Sequence, residues 1–170
     1  MIIVAESGST KTNWLTEKQE LFETIGLNPL FFSSEDIYRE LMKQEKLLKV
    51  KNQFTEVLFY GASCSSVDRK KIVYDSLKKY FQQAQRIQVD HDMNAAAFAT
   101  YDGRTGIACI LGTGSNSCLF DGKKIHEEVP ALGYVLGDEG SGAYFGKKLL
   151  ALYIRVDGVH PFVVVGVGIA

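Results

Sequence analysis

Apolar positions along the chain come in short runs, each closed by glycine or by a cluster of small polar residues. Residues 2–6, "IIVAE", read as an apolar strand that runs directly into "SGSTKT". "TNWLTEK" and "ELFETIG" alternate well enough to give two more strands, so the chain opens as a meander. Ser33 to Asp36 forms a capping-box pattern, with acids in the first turn and Lys43, Lys46, Lys49 and Lys51 towards the far end. That charge order suits a helix dipole and predicts a helix of about four turns. "EVLFYG" is a compact strand, Val73, Leu77, Tyr80 and Ala84 recur at helical spacing, "RIQVD" returns to strand and "MNAAAFA" to helix. A meander followed by alternating helix and strand implies an α/β fold with a mixed sheet, its later members parallel because helical crossovers join parallel neighbours.

The stretch "GIACILGTGSNSCLFDGKKIHEEV" then repeats the layout of "MIIVAESGSTKTNWLTEKQELFETI": apolar strand, small-residue turn, second strand, tight polar turn, third strand. Gly114 in the second copy matches Gly8 in the first. Two such units facing each other would set two glycine turns on opposite sides of one cleft, an arrangement that grips a polyphosphate.

The turn chemistry fits an anion. Backbone N–H groups of a glycine turn can converge on phosphate, the hydroxyls of Ser9, Thr10 and Thr12 add donors, and Lys11 adds charge. Neither turn is a Walker A sequence, and "GTGSNS" departs from the dinucleotide fingerprint because Ser117 stands at the third glycine and a strand-like run follows. Taken singly, either turn reads equally well as a plain hairpin; their pairing favours phosphate. Beyond them, Asp138 and Glu139 lie among the glycines 137–142 ahead of a helix-like run. Carboxylates so placed suit Mg²⁺ held through water, and they equally complement a helix N-terminus. Asp90 and Asp92 follow a strand, where ligands of open α/β sheets gather, and Asp92 is the candidate general base; its plain alternative is an N-cap for "MNAAAFA". His91 stands beside Asp92, and neither it nor His126 nor His160 belongs to a constellation.

With 170 residues, 46% of them hydrophobic, the chain can bury a real core as one domain or two small lobes. A formal net charge of -1 gives no electrostatic footprint for nucleic acid. The three cysteines, Cys64, Cys109 and Cys118, have no ligand-like spacing and suggest reduced thiols. No apolar run approaches the ~20 residues of a membrane span and no secretory leader pattern opens the chain, so a cytoplasmic protein without membrane or nucleic-acid partners is expected.

"AESGSTKTNW", "HDMNAAAFA", "LGTGSN" and "GYVLGDEGSG" occur in the order and spacing of the N-acetylglucosamine kinase-like branch of the sugar kinase, heat-shock chaperone and actin superfamily, often grouped with the BadF/BcrA-type ATPases, and the chain resembles that family over about residues 2–152. The resemblance implies a ribonuclease-H-like, actin-like ATPase fold in two lobes, with ATP and Mg²⁺ in the cleft and a sugar hydroxyl phosphorylated. It implies that Gly8, Ser9, Thr10, Lys11 and Thr12 form the first phosphate loop and Gly112, Thr113, Gly114 and Ser115 the second, with Asp92 as the base. Asn28, Thr113, Asn116, Gly133 and Asp138 would face the sugar, and Glu6 and Asp138 would serve the metal. Glu6 stands where the family usually has Asp, one methylene shorter. The expected organisation is an N-terminal lobe over 1–103, the start of a second lobe over 104–154, and an atypical tail over 155–170. The second lobe is expected to be incomplete, since members of this family continue further. A small-molecule sugar is the expected partner, with a homodimer left open. Two other readings stand beside the kinase: an ATPase of the BadF/BcrA type that activates a dehydratase, and a sugar or nucleotide sensor without turnover.

Overall fold

The computed structural model describes residues 1–126 and 131–155. These fall into two compact units, Met1–Cys109 with residues 117–126, and Ile110–Asn116 with residues 131–155.

The first unit is built on a five-stranded sheet. β1 (Ile2–Ser7), β2 (Lys11–Thr16) and β3 (Leu21–Ile25) form the meander, and β4 (Glu56–Gly61) and β5 (Arg86–His91) add to its other side, giving the order β3-β2-β1-β4-β5. β1 pairs antiparallel with β2 and parallel with β4, and β4 pairs parallel with β5. This is the mixed sheet expected from the sequence. Strand alternation sorts the two faces: Ile3 and Ala5 of β1, with Val57 and Phe59 of β4, are fully buried on one. Against that face pack α1 (Ser34–Met42), α2 (Glu45–Val50) and α3 (Val67–Tyr80), whose Ile37, Leu41, Leu47, Val73, Leu77 and Tyr80 complete one core cluster. Trp14 of β2 sits in its middle, fully buried, with ring centroids 6.0 Å from Phe59 and 5.9 Å from Phe81 and its indole N–H donated to Thr24 Oγ1 at 3.1 Å. α4 (Asp92–Thr100) covers the opposite face, since its Phe98 meets Tyr60, the neighbour of Phe59 that alternation turns the other way.

The predicted four-turn helix after Ser33 is two helices. The capping box is present, Ser33 Oγ accepting from Asp36 N–H and Asp36 accepting in return, but α1 stops at Met42 and α2 begins at Glu45, followed by a 3₁₀ turn at Lys51–Gln53. The buried positions explain the break. Leu41 and Leu47 are six apart, which on one continuous helix would turn them about 120° away from each other; interrupting the helix lets both enter the core. α3 likewise ends at Tyr80, so Ala84, although packed against the core, lies beyond the helix.

A second sheet orders β6 (Gly106–Leu111), β7 (Ser115–Phe120) and β8 (Ile125–His126), as the repeated layout predicts. The β6–β7 turn lies in the second unit, which continues with α5 (Gly133–Leu136) and α6 (Gly142–Arg155). The division thus falls at Cys109, with residues 117–126 returning to the first unit, compared with the boundary expected after residue 103. The atypical tail lies outside the described residues beyond Arg155. No described helix is long and apolar enough to cross a membrane.

Candidate active site

The first unit holds one half of the predicted constellation. Parallel register sets Ser7, Gly61 and His91 level with one another across β1, β4 and β5, so the loop that follows Ser7 and the residue that follows His91 emerge at the same edge of the sheet. The loop is Gly8 to Thr10, closed by Gly8 N–H donating to Lys11 C=O at 2.9 Å; the residue is Asp92. Ser9, Thr10 and Lys11 are exposed, Lys11 lying 3.7 Å from Glu23 in a solvent-exposed pair that contributes little.

Thr12 behaves differently from the other loop residues assigned to phosphate. It is fully buried, and its hydroxyl lies 2.7 Å from Ser7 Oγ and donates to Ile25 C=O at 2.9 Å. Leu27 N–H is donated to both hydroxyls, at 3.1 Å to Ser7 and 3.3 Å to Thr12. Its oxygen therefore holds the loop's base to the strand-end segment Ile25–Leu27, and Ser9 and Thr10 are the hydroxyls turned to solvent. Gly26, which sequence reasoning passed over, supports the same loop from below. A β-carbon at Gly26 would stand 2.6 Å from the carbonyl oxygens of both Gly8 and Ser9, and Gly26 N–H donates to Thr10 C=O at 2.9 Å. The only signal in the sequence was a glycine immediately ahead of "LNP".

Asn28 follows at once. Its Oδ1 accepts Leu30 N–H at 2.9 Å and its carbonyl accepts from Phe31 and Phe32, while its side-chain N–H groups have no partner among the described residues. It is nearly buried, and those donors remain available to a ligand.

The two aspartates separate clearly. Asp90 is committed to the fold: Lys70 Nζ donates to it at 2.6 Å and Gln88 at 2.9 Å. Burial pulls its pKa up, but the Lys70 ammonium and the Gln88 amide outweigh that and hold it below the usual carboxylate value. Asp92 is the first residue of α4 rather than its cap; the cap position is His91, which makes no side-chain capping bond. Asp92 Oδ1 lies 3.3 Å from His91 Nδ1, and its side chain keeps about 19% exposure. Glu6, at the end of β1, makes no hydrogen bond or ion pair among the described residues. Burial first, then the nearby Asp92 charge, raises its pKa, with Lys11 pulling the other way. Two like charges at one sheet edge, one of them without a partner, fit a divalent cation that takes one or two carboxylates and keeps its waters. No cluster of three or more His, Cys, Asp or Glu suited to a metal occurs among the described residues.

The second unit holds the other loop. Gly112 N–H donates to Gly114 C=O at 2.9 Å, and the carbonyls of Gly112 and Thr113 accept from Gly142 and Ala143 at the start of α6, at 2.9 and 3.2 Å. Asp138, at φ 60°, accepts Ser115 N–H at 3.1 Å, and its carboxylate lies so close to Gly114 that a β-carbon there would come within 3.2 Å of it. Asp138 thus grips the loop through one oxygen. Ser141, nearly fully buried and not singled out from sequence, accepts Tyr144 N–H at 3.1 Å in the manner of an N-cap and starts α6. Gly133 opens α5 at φ 67°, with open space around its α-carbon, and Asn116 is half-buried at the start of β7.

No family model and no curated protein sequence matches the chain. Among solved structures it is similar to that of a candidate N-acetylglucosamine kinase from Porphyromonas gingivalis, 38% identical with a TM-score of 0.84, over 94% of this chain and 59% of that one. The chain shares the actin-like α/β fold of these sugar kinases. A candidate N-acetylglucosamine kinase from Chromobacterium violaceum (18% identity, TM-score 0.63, 95% of this chain and 60% of that one) and a ROK hexokinase from Thermus thermophilus (14%, 0.53, 90% and 64%) share the fold. This actin-like chain therefore spans about three-fifths of the length of the kinases it matches.

Proposed function

We propose that the chain is the nucleotide-binding and sugar-binding portion of an ATP-dependent kinase that phosphorylates a hydroxyl of N-acetylglucosamine or a related amino sugar. The observation that carries this reading is the shared sheet edge of the first unit, where the Gly8–Thr10 loop and Asp92, beside only its chain neighbour His91, emerge together. The similarity to the Porphyromonas gingivalis protein supports the choice of sugar. In this reading Asp92 accepts the proton of the attacking hydroxyl, the new bond forms from that oxygen to the γ-phosphorus, and the bond from phosphorus to the bridging oxygen breaks to release ADP. Backbone N–H groups of the two glycine loops, with Ser9, Thr10 and Lys11, carry the phosphate charge. Asn28 is the candidate sugar contact of the first unit, and Thr113, Asn116, Gly133 and Asp138 are the candidates of the second. Glu6 would hold Mg²⁺ through water, with Asp138 as the second candidate carboxylate. The metal's chemistry when bound is to neutralise charge on the phosphates.

The test is a coupled assay of ATP conversion to ADP with N-acetylglucosamine, glucosamine, glucose and N-acetylmannosamine, together with direct binding of each sugar. Sugar-dependent ADP release, greatest with an N-acetylated sugar, is the expected result. Sugar binding without ADP release would favour a sensor, and ADP release independent of every sugar would favour an ATPase of the BadF/BcrA kind.

A further inference from the structure

Thr12, Ser7 and Gly26 form a connection whose two ends both carry candidate ligand contacts. On one side lies the Gly8–Thr10 loop; on the other lies Asn28, two residues beyond Gly26. Three links join them: Leu27 N–H donates to the hydroxyls of Ser7 and Thr12, Gly26 N–H donates to Thr10 C=O, and the absent side chain of Gly26 admits the carbonyl oxygens of Gly8 and Ser9 against its α-carbon. Ser7, Thr12 and Gly26 are all buried, and the two hydroxyls are engaged with each other, Ile25 and Leu27, so these residues act on a ligand through the loop. The connection is tight, because the space beneath the loop would be overfilled by a single methyl group.

We infer that Ser7, Thr12 and Gly26 are positioning residues that couple the two ligands: ordering of the Gly26–Asn28 segment by a sugar at Asn28 sets the Gly8–Thr10 loop for the nucleotide, and the reverse. The inference rests on the kinase reading above. It makes the sugar and nucleotide affinities interdependent through the first unit alone, and it assigns Thr12 to transmission rather than to phosphate contact. Coupling of this kind is reciprocal, so each ligand must tighten the other by the same factor.

The experiment is calorimetric titration of the full chain with N-acetylglucosamine, glucosamine, glucose and N-acetylmannosamine, with and without a saturating non-hydrolysable ATP analogue and Mg²⁺. It is repeated on Thr12→Val, which keeps the shape and removes the hydroxyl, on Thr12→Ser, which restores it, and on Gly26→Ala, which keeps the hydroxyls and displaces the loop. In the parent chain the nucleotide analogue is expected to tighten the sugar by about fivefold or more, the lower end of typical allosteric coupling. Thr12→Val and Gly26→Ala bring that factor to within about twofold of unity, and Thr12→Ser recovers it. A merely structural role for Thr12 would weaken both ligands and leave the factor intact. If Thr12→Val fails to fold, Gly26→Ala decides. Coupling that survives in either folded variant, or a parent chain that binds both ligands independently, overturns the inference and leaves the kinase reading standing. A parent chain that binds no sugar at all overturns both.

Discussion

Replacing Asp90 with Asn isolates a carboxylate that the fold has already claimed. Asp90 accepts from Lys70 at 2.6 Å and Gln88 at 2.9 Å, with side-chain exposures of 21% for Asp90 and 36% for Lys70. A fully exposed pair would contribute less than about 1 kcal/mol, whereas hydrogen bonds to a charged group shielded from water contribute roughly 1.5–3. Partial exposure of Lys70 places this pair between those limits, at about 1–2 kcal/mol. With a urea dependence of about 2 kcal/mol per M, the midpoint of the first unit should fall by roughly 0.5–1 M at pH 7. Trp14, the chain's single tryptophan and buried in that unit's core, reports the transition by fluorescence. The pH dependence has a definite sign. The folded pKa of Asp90 is depressed, so over that window the unfolded chain binds more protons and stability rises with pH. The difference between parent and variant is therefore complete above the ordinary carboxylate pKa, near pH 4–5, and closes as pH falls through the depressed folded value. A midpoint gap of the same size at pH 7 and pH 3, or no gap at pH 7, would refute the assignment of Asp90 to the fold. Abolished phosphoryl transfer in a stable Asp90→Asn protein would move the catalytic role from Asp92 to Asp90.

Other outcomes follow from the same geometry. Ser33→Ala removes the reciprocal cap at the start of α1 and should lower the urea midpoint by the equivalent of about 1 kcal/mol. Cys64 is fully buried, and burial followed by the Asp92 charge pushes its thiol up to about 11, so a chromogenic disulfide reagent should modify the exposed Cys109 first and reach Cys64 only on unfolding. Rapid labelling of Cys64 in the native protein, read by peptide mass mapping, would contradict its placement. At Asp138, which holds φ 60°, Asn tolerates the left-handed backbone and can still accept Ser115 N–H, whereas Val cannot. Asp138→Val should therefore cost about 1–2 kcal/mol more than Asp138→Asn in urea unfolding, and equal losses would remove the backbone argument.

The meander and the parallel strands were legible because alternation and helical crossovers are local signals, and those signals agreed with the sheet that formed. The break between α1 and α2 was not, because it answers a demand made elsewhere: Leu47 must reach a core that Leu41 already fills from another direction. In the candidate site, Asp92 could be picked from its place after a strand, yet only packing shows that Asp90, equally placed, is held by Lys70 from a separate helix. Thr12 illustrates the same limit. A hydroxyl in a small polar turn can face a ligand or its own backbone, and the choice here is set by Ile25 and Leu27, which reach it only once β2 and β3 have paired. Gly26 gave almost no signal, since the reason for its missing side chain is a loop far upstream in sequence.

The most direct test of the central claim is sugar phosphate formation by Asp92→Asn, measured beside sugar affinity. The account predicts that transfer falls by at least about 10²–10⁴-fold, the usual worth of a general base, while the sugar dissociation constant stays nearly unchanged. Transfer at the parent rate would contradict it.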